Sequence, residues 1–127
     1  MSSDQYPKVY LYRRIVKAKQ FIDYRYAEKI DLDNISDEAH FSKFHFIRLF
    51  KSIYGKTPHQ YLQFVRIEKA RLLFTENDSV SDVCYQVGFE SVSTFSGLFS
   101  KMIGKTPTNF ILESKEKKSQ IKENPLS

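Results

Sequence analysis

The residues of this chain whose types and spacing could do chemistry begin with a repeated tripeptide. Gly55-Lys56-Thr57 and Gly104-Lys105-Thr106 each resemble the end of a phosphate loop, with a glycine for close backbone approach, a lysine for phosphate and a hydroxyl for magnesium. That chemistry needs a second glycine earlier in the loop, where this chain has Phe50 and Phe99. It also needs a preceding β-strand, and neither upstream segment alternates as a strand does. The remaining candidates fail on spacing. His40, His45 and His59 never fall at the i, i+4 interval of a helical metal site. The single Cys84 excludes an internal disulfide and a cysteine-based zinc site. No Gly-rich loop or pair of carboxylates completes a catalytic arrangement, so the expectation is a protein that is not an enzyme, with no catalytic residue, metal site or cofactor.

As punctuation between helices the repeat accounts for each of its letters. Gly55 and Gly104 follow apolar periodic segments, where glycine closes a helix in the left-handed conformation. Thr57 and Thr106 can cap the next helix, and Pro58 and Pro107 suit its first position, where no backbone N–H is needed.

The elements around these marks are helical. Ile15, Ala18, Phe21, Ile22 and Tyr26 recur at helical spacing and predict a first helix from about Val9 to Lys29. Asp31 or Asp33 starts a short second helix with Leu32, Ile35 and Ala39 inside, and a turn over Ala39 to Phe41 follows. Ser42 caps a third helix to Tyr54, with the core stripe Phe46, Leu49, Phe50 and Ile53. A long helix from Pro58 to about Thr75 carries Tyr61, Leu62, Val65, Ile67, Ala70, Leu73 and Phe74, with Arg66, Lys69 and Arg71 among its polar positions. Then the pattern returns. Val80, Val83, Cys84 and Val87 make a short helix, Gly88 and Phe89 a turn, and Ser91 caps a helix with the stripe Phe95, Leu98, Phe99 and Met102. This stripe repeats that of the third helix at constant separation; upstream of the caps the separation is one residue shorter, because Glu90 lengthens the second turn.

The chain is thus read as an internal duplication: all-α, with two helix-turn-helix subdomains joined by a long connecting helix. The expected divisions are a flexible N-terminus (1–8), a first subdomain (9–56), the connector (57–76), a second subdomain (77–113) and a polar mobile tail (114–127). The 127 residues carry a net charge of +5, which suits an acidic partner. Positive charge is local: Ser42 to Lys56 holds Lys43, Arg48, Lys51 and Lys56 without an acid. No apolar run is long enough to span a membrane and no signal pattern opens the chain, so the expected location is the cytoplasm, at the nucleoid.

The segments FSKFHFIRLFKSIYGKTPHQYLQFVRIEKARLLF and VSDVCYQVGFESVSTFSGLFSKMIGKTPTNF resemble the DNA-binding domain of AraC/XylS-type bacterial transcription regulators. The resemblance covers about Val9 to Phe110 and rests on F-S-x-x-x-F-x-R-x-F-K, R-I-x-x-A-x-x-L and V-G-F-x-S-x-x-x-F in order. It implies a monomer whose two units enter adjacent major-groove segments of double-stranded DNA, with RNA polymerase as a further partner in activation. With almost nothing outside this domain, the chain is similar to the short, MarA- and SoxS-like members. An excised C-terminal domain of a longer regulator would look the same.

Beside its core stripe the third helix has a second face of Phe44, Ile47, Arg48 and Lys51. The resemblance implies that Phe44, Ile47 and Arg48 face bases, Arg48 through a fork that fits both acceptors of guanine. The alternative for Phe44 and Ile47 is packing on the first helix or the connector. Phosphate contacts are expected from Ser42, Lys43, Lys51 and Lys56, and in the second unit from Ser91, Ser96, Lys101 and Lys105. His45 lies off the face and His40 sits in the turn where the other unit has Gly88. The second unit departs from the family pattern: its base-reading positions are Val92, Ser93, Thr94 and Gly97, with Gly97 matching Arg48 and Ser100 matching Lys51. The first unit is therefore expected to carry most of the specificity. A competing expectation is an interaction module that mainly binds RNA polymerase or another regulator, with weak DNA contact.

Overall fold

The computed structural model describes residues 8–33 and 43–123, and among them are six α-helices and no strand. α1 (Lys8–Arg25) has no Gly or Pro to interrupt it, and buries Ile15, Ala18 and Ile22. It stops short of the predicted Lys29, where the Glu28 N–H donates to the Arg25 carbonyl in a closing turn. Phe21, expected inside, is 42% exposed, because the stripe through Ile15, Ala18 and Ile22 leaves it on the flank. The helix also takes in Lys8, which the sequence pattern put in the loose N-terminus; residues 1–7 lie outside the described part.

Leu32 and Asp33 are helical, where the short second helix is predicted to begin, and Leu32 packs against the first core; the rest of that helix, its turn with His40 and the Ser42 cap lie outside the described residues. α2 (Lys43–Tyr54) buries Phe46 and Phe50, while Ile53 is 37% exposed at the end of the predicted stripe. Gly55 then adopts φ 77°, a conformation costly for residues with a Cβ, and its N–H donates to the Lys51 carbonyl at 2.7 Å. Thr57 and Gln60 close the junction reciprocally. The Gln60 N–H donates to Thr57 Oγ1 at 3.2 Å and the Thr57 N–H to Gln60 Oε1 at 3.0 Å, a capping box.

α3 (Pro58–Leu73) is the predicted connector, ending in a turn at Phe74 to Glu76 rather than continuing to Thr75. The chain divides into two compact units, Met1–Val65 and Arg66–Ser127, and the division falls inside α3 instead of at its ends. The reason lies in its apolar residues. Leu62 and Val65 join Ile15, Ala18, Ile22, Phe46 and Phe50 in the first core. Ile67, Ala70 and Phe74 are buried in the second unit, where Phe74 meets the rings of Phe95 and Phe99 at 6.2 and 5.5 Å. The first unit adds a polar clasp between α1 and α3. The Tyr61 hydroxyl donates to Asp23 at 2.5 Å and Lys19 pairs with the other carboxylate oxygen at 2.7 Å, while lying over the Tyr54 and Tyr61 rings.

In the second unit α4 (Val80–Gln86) is capped by Ser79 and buries Val83 and Cys84. Gly88 makes the turn at φ 102°. α5 (Val92–Ile103) is capped by Ser91, whose hydroxyl accepts from the Thr94 N–H, buries Phe95 and Phe99, and ends at the left-handed Gly104. Met102, placed on the core stripe from sequence, is 38% exposed. Thr106 Oγ1 accepts from the Asn109 N–H as the cap of α6 (Pro107–Glu123). That helix runs into the stretch expected as a polar mobile tail from residue 114. Ile111 is buried and anchors it, and Lys115 to Ile121 are exposed yet helical, with Lys115 paired to Asp78 and Lys118 donating to the Thr75 carbonyl. The absence of an apolar period there records solvation, which is compatible with a helix anchored at one end.

Candidate nucleic-acid interface

α2 presents to solvent the side chains that its core stripe leaves over. Phe44, Arg48 and Lys51 are all exposed and, at i, i+4 and i+7, share one face. Phe44 is 76% exposed, although burying a Phe typically stabilises by about 1.5 to 3 kcal/mol. Among the described residues neither the Arg48 nor the Lys51 side chain has a hydrogen bond or ion pair, so a fork of donors and an ammonium stand beside an uncovered ring. The structure separates the two apolar residues that the sequence grouped. Phe44 stands free, whereas Ile47 is half-buried and packs against the first core, with only part of its surface left for a ligand. His45 is half-buried and engaged, in line with its place off the face.

The flanking lysines differ in their ties. Lys43 pairs with Asp33 at 2.8 Å in an exposed bridge. Lys56 lies over the Phe64 ring at 4.8 Å. Exposed pairs of this kind hold by about 1 kcal/mol or less, so a stronger anion can displace them. Ser42 lies outside the described residues.

On α5 the exposed face is Ser93, Thr94, Gly97 and Lys101, while Val92 and Ser96 are half-buried. Ser91 is engaged as the cap of its helix, with its hydroxyl also 3.0 Å from that of Ser93. A Cβ placed on Gly97 would meet nothing within 4 Å, so this position is open space as well as chemically bare. Lys105 is tied to Glu113. The two faces occupy equivalent places in their units, yet one carries an aromatic ring and two cations unpaired among the described residues, and the other carries hydroxyls, a glycine and one lysine.

Behind α5, Cys84 is fully buried and burial pushes its thiol pKa up, away from a reactive thiolate. Among the described residues no group of His, Cys, Asp and Glu could hold a metal ion, and no helix is long and apolar enough to cross a membrane. The side chain that sequence reasoning missed is Arg66. The sequence pattern makes it a polar position of the connector, but it is half-buried between Val65 and Ile67, and its guanidinium lies over the Phe89 ring at 5.7 Å. Helical spacing carried no sign of this, since the ring comes from a distant turn.

Residues 35–112 match the family described as "Helix-turn-helix domain". The chain is 36% identical over 97 residues to the "Bifunctional transcriptional activator/DNA repair enzyme AdaA" of Bacillus subtilis, an alignment over 76% of this chain and 46% of that protein. It spans less than half the length of the first curated relatives it matches. Among solved structures, the DNA-binding domain of AdpA in complex with a target DNA superposes with a TM-score of 0.77 at 25% identity, over 84% of this chain and 97% of that one. An AraC-type regulator from Chromobacterium violaceum shares the fold with a TM-score of 0.71 at 23% identity, over 81% and 93% of the two chains. The family match takes in α2, α3, α4 and α5 with both aromatic cores, and the chain belongs to the AraC-type helix-turn-helix family of DNA-binding transcription regulators.

Proposed function

We propose that this protein is a sequence-specific regulator, acting as an activator, that reads double-stranded DNA as a monomer through two unequal helices. The observation that carries this reading is the exposed face of α2, where Phe44, Arg48 and Lys51 stand together with both cations unpaired among the described residues. Arg48 is assigned to a guanine and Phe44 to a thymine methyl, with the exposed edge of Ile47 beside it. Lys43, Lys51 and Lys56 are assigned to phosphates, which set register and affinity without reading sequence. Ser93, Thr94 and Gly97 of α5 form a shallow face for close approach, with Val92 at its edge and phosphate contacts from Ser91, Ser96, Lys101 and Lys105. The protein needs no cofactor in this role and carries no enzymatic activity.

Selection of binders from a random duplex library at near-physiological salt tests the proposal. Two sub-motifs about 10 base pairs apart are expected if two helices enter successive major-groove turns. One short motif would mean that α2 alone reads. The bare Gly97 face supports a second reading, an interaction module for RNA polymerase or another regulator, and the absence of any enriched sequence would decide for it.

A further inference from the structure

Arg66 lies in α3 with buried neighbours on both sides, and its charge is partly withdrawn from water. Burial pulls its pKa below the usual arginine value, and Glu90 opposes this. Its guanidinium lies over the ring of Phe89, in the turn between α4 and α5. That turn is held on its inner side. The Phe89 N–H donates to the Cys84 carbonyl at 3.1 Å, and the Phe89 ring packs on Phe95 of α5 at 5.3 Å. Phe89 is therefore a link between α3 and the N-terminal turn of α5, where Ser91, Ser93 and Thr94 lie. A planar cation suits this place because it can cover a ring face and still direct charge toward Glu90.

We propose that Arg66 is a positioning residue for the second DNA-contacting helix: by holding the Phe89 ring it fixes the turn that sets where α5 begins and how its exposed face is presented. The inference rests on the reading of α5 as a DNA-contacting helix. Nothing in it requires Arg66 to touch DNA.

The test uses the full chain, a duplex enriched from the random library, and two derivatives with one or the other sub-motif scrambled. Arg48→Ala identifies the sub-motif that belongs to α2. Arg66→Ala is expected to weaken binding to the intact duplex about three- to thirtyfold and to leave binding to the duplex lacking the α5 sub-motif unchanged. Arg66→Lys, which keeps the charge without the plane, recovers part of the loss. In a Phe89→Leu background Arg66→Ala costs little more. Amide exchange at Thr94 should speed up in Arg66→Ala while Gln60 stays protected, and this comparison applies to Arg66→Lys if the alanine variant does not fold. Equal losses on all three duplexes, or no loss on any, overturn the proposal. If the unaltered protein binds the intact duplex and the one without the α5 sub-motif equally, the reading of α5 fails and takes this inference with it.

Discussion

Arg48 and Gly97 occupy matching positions of the duplicated unit, and they make opposite predictions. The Arg48 side chain is exposed and makes no ion pair or hydrogen bond among the described residues, so Arg48→Ala should leave stability nearly unchanged. It should reduce discrimination at one guanine by about 1 to 3 kcal/mol, read by competition between duplexes that differ at that base. Arg48→Lys should recover affinity more than discrimination, because an ammonium lacks the bidentate fork. Gly97→Arg enters open space and replaces a residue that costs about 1 kcal/mol in a helix interior. It should raise thermal stability slightly and add DNA affinity with a new base preference at the second sub-motif. Unchanged affinity and preference in a binding selection would mean that Gly97 does not face DNA.

At the scale of elements, the junctions after α2 and α5 do the same work with different bonds. Thr57 and Gln60 form a reciprocal box, whereas Thr106 accepts from the Asn109 N–H alone. Thr57→Ala should destabilise by about 1 kcal/mol in urea unfolding. Gln60→Ala should cost less, since it frees a single exposed N–H. The repeated GKTP was legible in sequence as helix end and helix start, because left-handed glycine, hydroxyl cap and first-turn proline are local requirements.

For the whole molecule, charge and pH give two expectations. Lys51 and Lys101 have no ion pair among the described residues and Lys56 only covers a ring, whereas Lys43 and Lys105 carry carboxylate partners. The slope of log affinity against log salt should then lie between about −3, if only the unbridged lysines meet phosphates, and about −4.5, if all five do. A slope near zero would remove the DNA assignment of these residues. In the α1–α3 clasp, the hydrogen bond to Asp23 raises the Lys19 pKa above its ordinary 10.5, and burial followed by the Asp23 bond raises that of Tyr61 above 10.0. Both groups favour their protonated forms in the folded state, so their contribution is complete below the ordinary values and is lost as pH rises through the raised ones. Tyr61→Phe should cost about 1 kcal/mol at neutral pH and flatten the alkaline loss of stability, measured by urea unfolding from pH 7 to about pH 11.

The sequence by itself determined the helical class, the duplication, the capped junctions and the face through Phe44, Arg48 and Lys51, because each follows from spacing within a few residues. Tertiary structure decided what spacing does not contain. It placed Ile47 against the core while Phe44 stayed exposed, split α3 between two cores instead of leaving it a separate connector, and kept the polar end of α6 helical by anchoring Ile111. It also brought Arg66 to Phe89 and Tyr61 to Asp23, pairs far apart in the chain. The physical reason is common to these cases: burial and pairing depend on which distant surface arrives, and periodicity records only which side of a helix is turned toward it.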